Sequence, residues 1–141
     1  MAYRKDLANS ARRHFKAAEN LNGSALPGAQ PGCQAVAGYL FGLSGELAVK
    51  AMMQDSGMSP LSPEQRRDDP FYSHFPDLKS RLLDHAKGRR SGELRAIAED
   101  ASLFQNWDTD MRYAPTGDIL GRWVAQWRSA AHDLVSRMDA F

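Results

Sequence analysis

Residues 33–53 leave this chain few ways to fold. They form its most apolar stretch, yet they carry Gly38, Gly42 and Gly45 together with two charges, Glu46 and Lys50. A membrane helix needs about 20 apolar residues and anchors at both ends, and the flanks here supply none. A core helix over 34–54 suits the pattern better. On it, Leu40, Leu43, Leu47 and Ala51 share one face, and Gly38, Gly42, Gly45 and Val49 lie roughly opposite. Each interior glycine costs ~1 kcal/mol relative to alanine. A stripe of them points to another helix packed close against it. This helix is predicted to be the most buried one, at the centre of a bundle, meeting the terminal helix through Leu40, Leu43 and Leu47.

Helical spacing recurs on both sides of it. Leu7, Ala11, Phe15, Ala18 and Leu21 step by three and four, which predicts an amphipathic helix over 4–21. Asn22-Gly23 ends it, and a connector with Pro27, Gly28, Pro31 and Gly32 follows. Ser62-Pro63-Glu64-Gln65 reads as an N-cap, a proline at the first helical position and a reciprocal glutamine, hence one short turn. A third helix over 76–86 uses Leu78, Leu82 and Leu83 and stops at Gly88. A fourth starts near Ser91 and continues through Leu94, Ile97, Ala98, Ala101 and Phe104. Thr116 suits the N-cap of a last helix over 117–138, where Leu120, Trp123, Val124, Trp127, Ala131, Leu134 and Met138 form one narrow stripe. No segment alternates in the manner of a strand. The expectation is a single all-α domain over 1–141, an up-and-down bundle of four to five helices.

Composition narrows the function classes. The 141 residues are 43% hydrophobic, enough for one core and too few for two. Lys plus Arg number 18 against 17 Asp plus Glu, a net charge of +1. That excludes a protein that coats nucleic acid in bulk and leaves room for a local basic patch. Cys33 is the only cysteine, which excludes an intrachain disulfide framework and a Cys-rich zinc site. Residues 1–16 carry Arg4, Lys5, Asp6, Arg12 and Arg13 and lack the apolar run of a secretory signal, so the cytoplasm is the expected compartment.

The candidate chemistry is sparse. His14, His74, His85 and His132 are scattered without the spacing of a helical metal site, and neither metal nor cofactor is expected. Arginine–histidine pairs matter more, because metal-free RNA cleavage needs a proton carrier and a cation for the developing phosphorane charge. Arg81–His85 and Arg128–His132 are each four apart on a helix, and Arg67–His74 brackets a loop. Arg128 and His132 continue a stripe begun by Gly121 and Ala125, away from Trp123 and Trp127. Such a face suits either a second subunit or solvent. Glu46 and Lys50, four apart, read as an ion pair at the core edge worth ~0.3–0.5 kcal/mol if exposed, or as charges kept near a binding site.

Several short segments, in order, resemble the HEPN-domain superfamily. They are Ala11-Arg12-Arg13-His14-Phe15-Lys16-Ala17-Ala18 in the first helix, AGYLFGLSGELAVKAMM over 37–53, His74-Phe75-Pro76-Asp77-Leu78, and the Trp107…Arg112-Tyr113 segment. The resemblance implies a HEPN-like bundle that dimerises, with relatives among toxin and defence ribonucleases and partners of nucleotidyltransferases. Its ribonuclease members carry an Arg and a His with four to six residues between them, close to the final helix. Here Arg128 and His132 have three residues between them, and no histidine follows Arg112 at that distance.

Three expectations follow. The first is a binding or regulatory module in a nucleotide-, RNA- or defence-related (toxin–antitoxin-like) system, with Glu46, Lys50 and Tyr113 as binding residues. The second is a metal-independent endoribonuclease using Arg128, His132 and Arg112 across a dimer. The third is an oligomerisation protein without catalysis. The expected partners are a second copy of the chain, a nucleotidyltransferase-like or other protein, and RNA or a nucleotide, with no membrane. The dimer contact is expected on the Gly38/Gly42/Gly45 stripe or the Gly121/Ala125 stripe.

Overall fold

A computed structural model describes residues 3–23 and 33–140. The connector expected at 27–32 lies outside the described residues. Five α-helices carry the fold: α1 (Leu7–Asn22), α2 (Cys33–Asp55), α3 (Asp77–His85), α4 (Ser91–Glu99) and α5 (Gly121–Met138). Short 3₁₀ turns at Pro63–Asp68, Pro70–Tyr72, Thr109–Tyr113 and Thr116–Asp118 link them, and the described residues include no strand.

Helix α2 is the hub, packed on both α1 and α5. Against α1 it runs antiparallel, since Phe15 meets Phe41 and the Ser44 hydroxyl donates to the Ala11 carbonyl at 2.7 Å. Against α5 it runs parallel, with Gly38 near Val124 and Trp127 at one end and Ala51 near Met138 at the other. Helices α3 and α4 form an antiparallel pair, tied by Lys79 Nζ to the Asp100 carbonyl at 2.7 Å and by Arg95 to the Ala86 carbonyl at 3.3 Å.

The buried face of α2 differs from the expected one. Phe41, Ala48, Val49, Met52 and Met53 are fully buried, while Leu40, Leu43, Leu47 and Ala51 are half-buried at the core margin. Leu47 lines a cavity shared with Leu7, Ser10 and Arg13 of α1. The glycine stripe does mark a close approach, but what approaches is a set of aromatic rings from the same chain. A Cβ at Gly38 would sit 3.0 Å from Trp127, at Gly42 2.0 Å from Trp107, and at Gly45 2.4 Å from Phe104. The three notches are filled, so this stripe is no surface for a second copy.

Helix α4 stops at Glu99, earlier than its apolar spacing suggests. Ala101 is exposed, and Phe104 and Asn106 adopt left-handed backbone angles, with φ of 53° and 70°. These turns swing Phe104 and Trp107 inward. Phe75 stacks on Phe104 at 4.9 Å and Tyr39 on Trp107 at 5.6 Å, while the Trp107 indole donates to the Gly38 carbonyl. Other boundaries also shift. Thr116 begins a 3₁₀ turn and Leu120 occupies the N-cap of α5, and Leu83 faces solvent. Ser62 hydrogen-bonds the Gln65 side chain rather than capping a backbone N–H.

A polar knot closes the end of the bundle where α2 and α5 finish. Arg90 is buried and donates to Glu93 (2.8 Å), Asp55 (3.2 Å) and the carbonyls of Met138 and Arg137 (both 2.9 Å). It thereby satisfies carbonyls that the last turn of α5 leaves without helical partners. Ser56 joins the same knot, donating to the Lys87 carbonyl at 2.6 Å and accepting from Arg90 N–H at 3.0 Å. Gly88, with φ of 90°, permits this contact: a Cβ there would meet the Ser56 carbonyl oxygen at 1.7 Å.

Candidate functional site

Two charges on α2 are buried one turn apart, and they do not pair with each other. The Glu46 carboxylate turns toward the segment before α3, where it accepts from Phe75 N–H at 2.8 Å and meets His74 Nδ1 at 2.9 Å. Burial pushes its carboxyl above the usual 4.5, and the His74 and Phe75 bonds pull the other way. The ion pair expected between Glu46 and Lys50 is thus replaced by a contact across the chain with His74, whose ring is half exposed. The reason is competition: a buried carboxylate near a free backbone N–H and an imidazole gains more there than from an ammonium on its own helix.

Lys50 faces α1. Its residue surface is only 8% exposed, and among the described residues it makes no hydrogen bond or ion pair. Burial pushes its pKa below the usual 10.5, attraction to Glu46 opposes this, and Lys5 adds to it. The one sealed and unpaired side-chain polar atom among the described residues is Asn22 Oδ1, so the Lys50 ammonium keeps access to open space. That space is a cavity of about 520 Å³ between α1 and α2, lined by Arg4, Lys5, Arg13, Leu47, Lys50 and Phe71 among others. The neighbouring carboxylate, Asp6, is spent on capping α1, accepting from Asn9 N–H and from the Asn9 side chain. Lys5 and Arg66 flank the exposed Tyr72 ring, at 5.0 and 4.6 Å from its centre. Positive charge therefore outnumbers negative in the lining of this cavity, although the chain as a whole is nearly neutral.

The other expected site residues sit elsewhere. Arg128 is held by Glu19 of α1, with Nη2 at 3.2 Å from Oε2 and a second, shorter contact from Nε. Glu19 raises the Arg128 pKa further by this hydrogen bonding. His132, one turn on, lies 5.8 Å from the Phe15 ring, also on α1. The pair thus closes the α1–α5 contact within one chain. Arg112 belongs to a different region, with its guanidinium over Tyr39 at 5.9 Å and over the exposed Tyr113 at 5.0 Å. Neither of its ring contacts involves Arg128 or His132. Of the remaining arginine–histidine pairs, Arg81 donates to the Ser73 hydroxyl at 2.9 Å and His74 is taken by Glu46.

Among the described residues no three His, Cys, Asp or Glu side chains gather to hold a metal, and no helix is long and apolar enough to cross a membrane. Compared with known proteins, the chain matches no family model, no curated protein and no solved structure.

Arg4, Lys5 and Arg13 escaped the sequence reading as site residues, because their role depends on α1 lying antiparallel along α2. His74 was visible as half of a loop pair with Arg67 and in the His74-Phe75-Pro76-Asp77-Leu78 segment, neither of which pointed to Glu46. The usable signal was Lys50 itself: a lysine centred in an apolar helix must meet either a partner or a ligand.

Proposed function

We propose that this chain is a HEPN-like helical bundle acting as a binding or regulatory module for an anionic ligand of the nucleotide or RNA type. The observation that carries the reading is Lys50, buried and unpaired on the wall of a cavity rimmed by Arg4, Lys5 and Arg13. Burying an unpaired ammonium costs free energy, and an anion bound beside it would offset that cost. The endoribonuclease reading has weaker support. Its arginine is engaged by Glu19, its histidine rests on Phe15, and Arg112 lies over Tyr39 and Tyr113.

The test incubates purified protein with structured and single-stranded RNA in EDTA, beside a fluorescence-anisotropy titration of the same RNAs. The expected result is intact RNA together with saturable, salt-sensitive binding. Cleavage that persists in EDTA and vanishes in His132→Ala would overturn the proposal in favour of the nuclease. The expected homodimer is tested separately by sedimentation. With the α2 glycines filled by rings, the exposed Gly121/Ala125 face is the remaining small-residue stripe for such a contact.

A further inference from the structure

We infer that the α1–α2 cavity seats a terminal phosphate dianion, with Lys50 at its floor and Arg4 and Arg13 at its rim. This inference rests on the binding-module reading and gives its site a ligand class.

The donor set argues for a phosphate. Arg4, Lys5, Arg13 and Lys50 line the cavity with Asp6, which already accepts two hydrogen bonds from Asn9. Glu46 and Asp69 also attract Lys50, but Glu46 is bonded to Phe75 N–H and His74, and Asp69 accepts from Leu61 and Phe71 N–H. A carboxylate ligand would offer only two acceptor oxygens to these four cationic side chains. A phosphate monoester brings nearly two negative charges at neutral pH and several acceptor oxygens, suited to one ammonium and two guanidinium forks.

Access and size agree. Lys50 is more than nine-tenths buried, unpaired among the described residues, and open to the cavity. A phosphate in contact with it would meet a mostly buried ammonium, whose charge-assisted hydrogen bond is worth more than one on an exposed patch. The volume of about 520 Å³ exceeds what one phosphate fills and falls in the range of small-ligand pockets, about 300–1,000 Å³. The phosphate is therefore the end of a larger molecule. Phe71 and Leu47 supply apolar wall beside the cations, and Tyr3, 86% exposed, lines the mouth.

The test uses the full chain at constant ionic strength and follows two-dimensional NMR shifts and calorimetric titration. The probes are inorganic phosphate, ribose 5-phosphate, and one short RNA bearing either a 5′-phosphate or a 5′-hydroxyl. The expected result is that phosphate-bearing probes shift resonances of residues 4–13 and 47–50, and that the 5′-hydroxyl RNA binds at least about tenfold more weakly than its 5′-phosphate form. Ribose 5-phosphate binding as tightly as the phosphorylated RNA would identify a small-molecule ligand. Tighter binding of the phosphorylated RNA would identify a strand end. Both outcomes support the site. Lys50→Met, which keeps the buried volume, and Arg13→Gln, which is exposed and leaves the core untouched, should each weaken phosphate binding roughly ten- to hundredfold.

The inference is overturned if millimolar phosphate probes leave residues 4–13 and 47–50 unmoved, or if both variants bind them like the parent. RNA binding indifferent to the 5′-phosphate and to Lys50 would remove this site while leaving the module reading intact. Metal-independent cleavage lost in His132→Ala would remove the module reading while leaving the phosphate titration to stand on its own.

Discussion

Arg90 and Lys50 are both buried cations near the same end of α2, and the fold treats them in opposite ways. Arg90 spends its guanidinium on Glu93, Asp55 and two carbonyls of α5. Lys50 has no hydrogen bond or ion pair among the described residues and borders a cavity. Burying either charge costs several kcal/mol in desolvation. For Arg90, hydrogen bonds that join three helices offset the cost. For Lys50, the described residues provide the attraction of Glu46 and Asp69 without a hydrogen bond or ion pair. The contrast separates a cation that belongs to the architecture from one that is ready for something outside it.

The sharpest way to break this comparison is Arg90→Leu. It would leave the Arg137 and Met138 carbonyls and the Glu93 carboxylate short of donors, and the expected loss is about 3–5 kcal/mol by urea unfolding. A loss under ~1 kcal/mol would mean the knot is ornamental and that the two cations do not differ as argued.

Next in size is Gly42→Ala, on the flank of α2 that is packed to contact. Alanine gains ~1 kcal/mol of helix propensity. Its Cβ would nevertheless fall 2.0 Å from the rigid Trp107 ring. The expected net loss is about 1–3 kcal/mol, with a change in Trp fluorescence as the indole is displaced. A stabilised Gly42→Ala would show that this flank is as loosely packed as the Lys50 side.

Lys50→Met should act in the opposite direction, raising stability at neutral pH by about 1 kcal/mol, a few degrees in melting temperature. Its pH signature is distinctive. Because the folded chain holds the Lys50 pKa below 10.5, the native state releases this proton before the unfolded state does. Stability attributable to Lys50 therefore rises as pH climbs from the folded value toward 10.5, and below the folded value the penalty is fully present. The difference between parent and Lys50→Met should shrink across that window. A constant difference would mean that Lys50 titrates as though exposed.

The smallest effect is expected at the surface pair of Glu19 and Arg128. A double-mutant cycle should give a coupling near the detection limit that fades with added salt, since both side chains are screened by water. A large, salt-resistant coupling would place a real structural tie between α1 and α5 and change which charges count as architecture.

Much of the fold was legible in the spacing of apolar residues. Of the stripe predicted on α5, Val124, Trp127, Ala131, Leu134 and Met138 are buried, while Leu120 and Trp123 at its N-terminal end are half-buried. Ala11 and Ala18 likewise mark the face of α1 that is buried. Periodicity succeeds there because each helix buries one stripe and exposes the rest. It fails on α2, which is covered on several sides. With small residues opposite leucines, hydrophobicity alone could not tell the filled face from the margin. The site was legible only as two residue names. Glu46 and Lys50 stood out as charges in an apolar run, yet their spacing suggested a pair with each other.

What the amino-acid order determined by itself was local: where helices form, which stripe of each is apolar, and that α2 carries glycine notches and two charges that its apolar neighbours cannot satisfy. These follow from backbone propensity and the 3.6-residue period, which act over a few turns. Only the tertiary structure decided what fills the notches and what meets the charges. The rings of Phe104 and Trp107 reach α2 through left-handed turns some 60 residues along the chain. Glu46 finds His74, and Lys50 comes to lie beside Arg4, Lys5 and Arg13 because α1 runs antiparallel along α2. Such pairings depend on which elements lie side by side, and spacing within one helix carries no information about its neighbour.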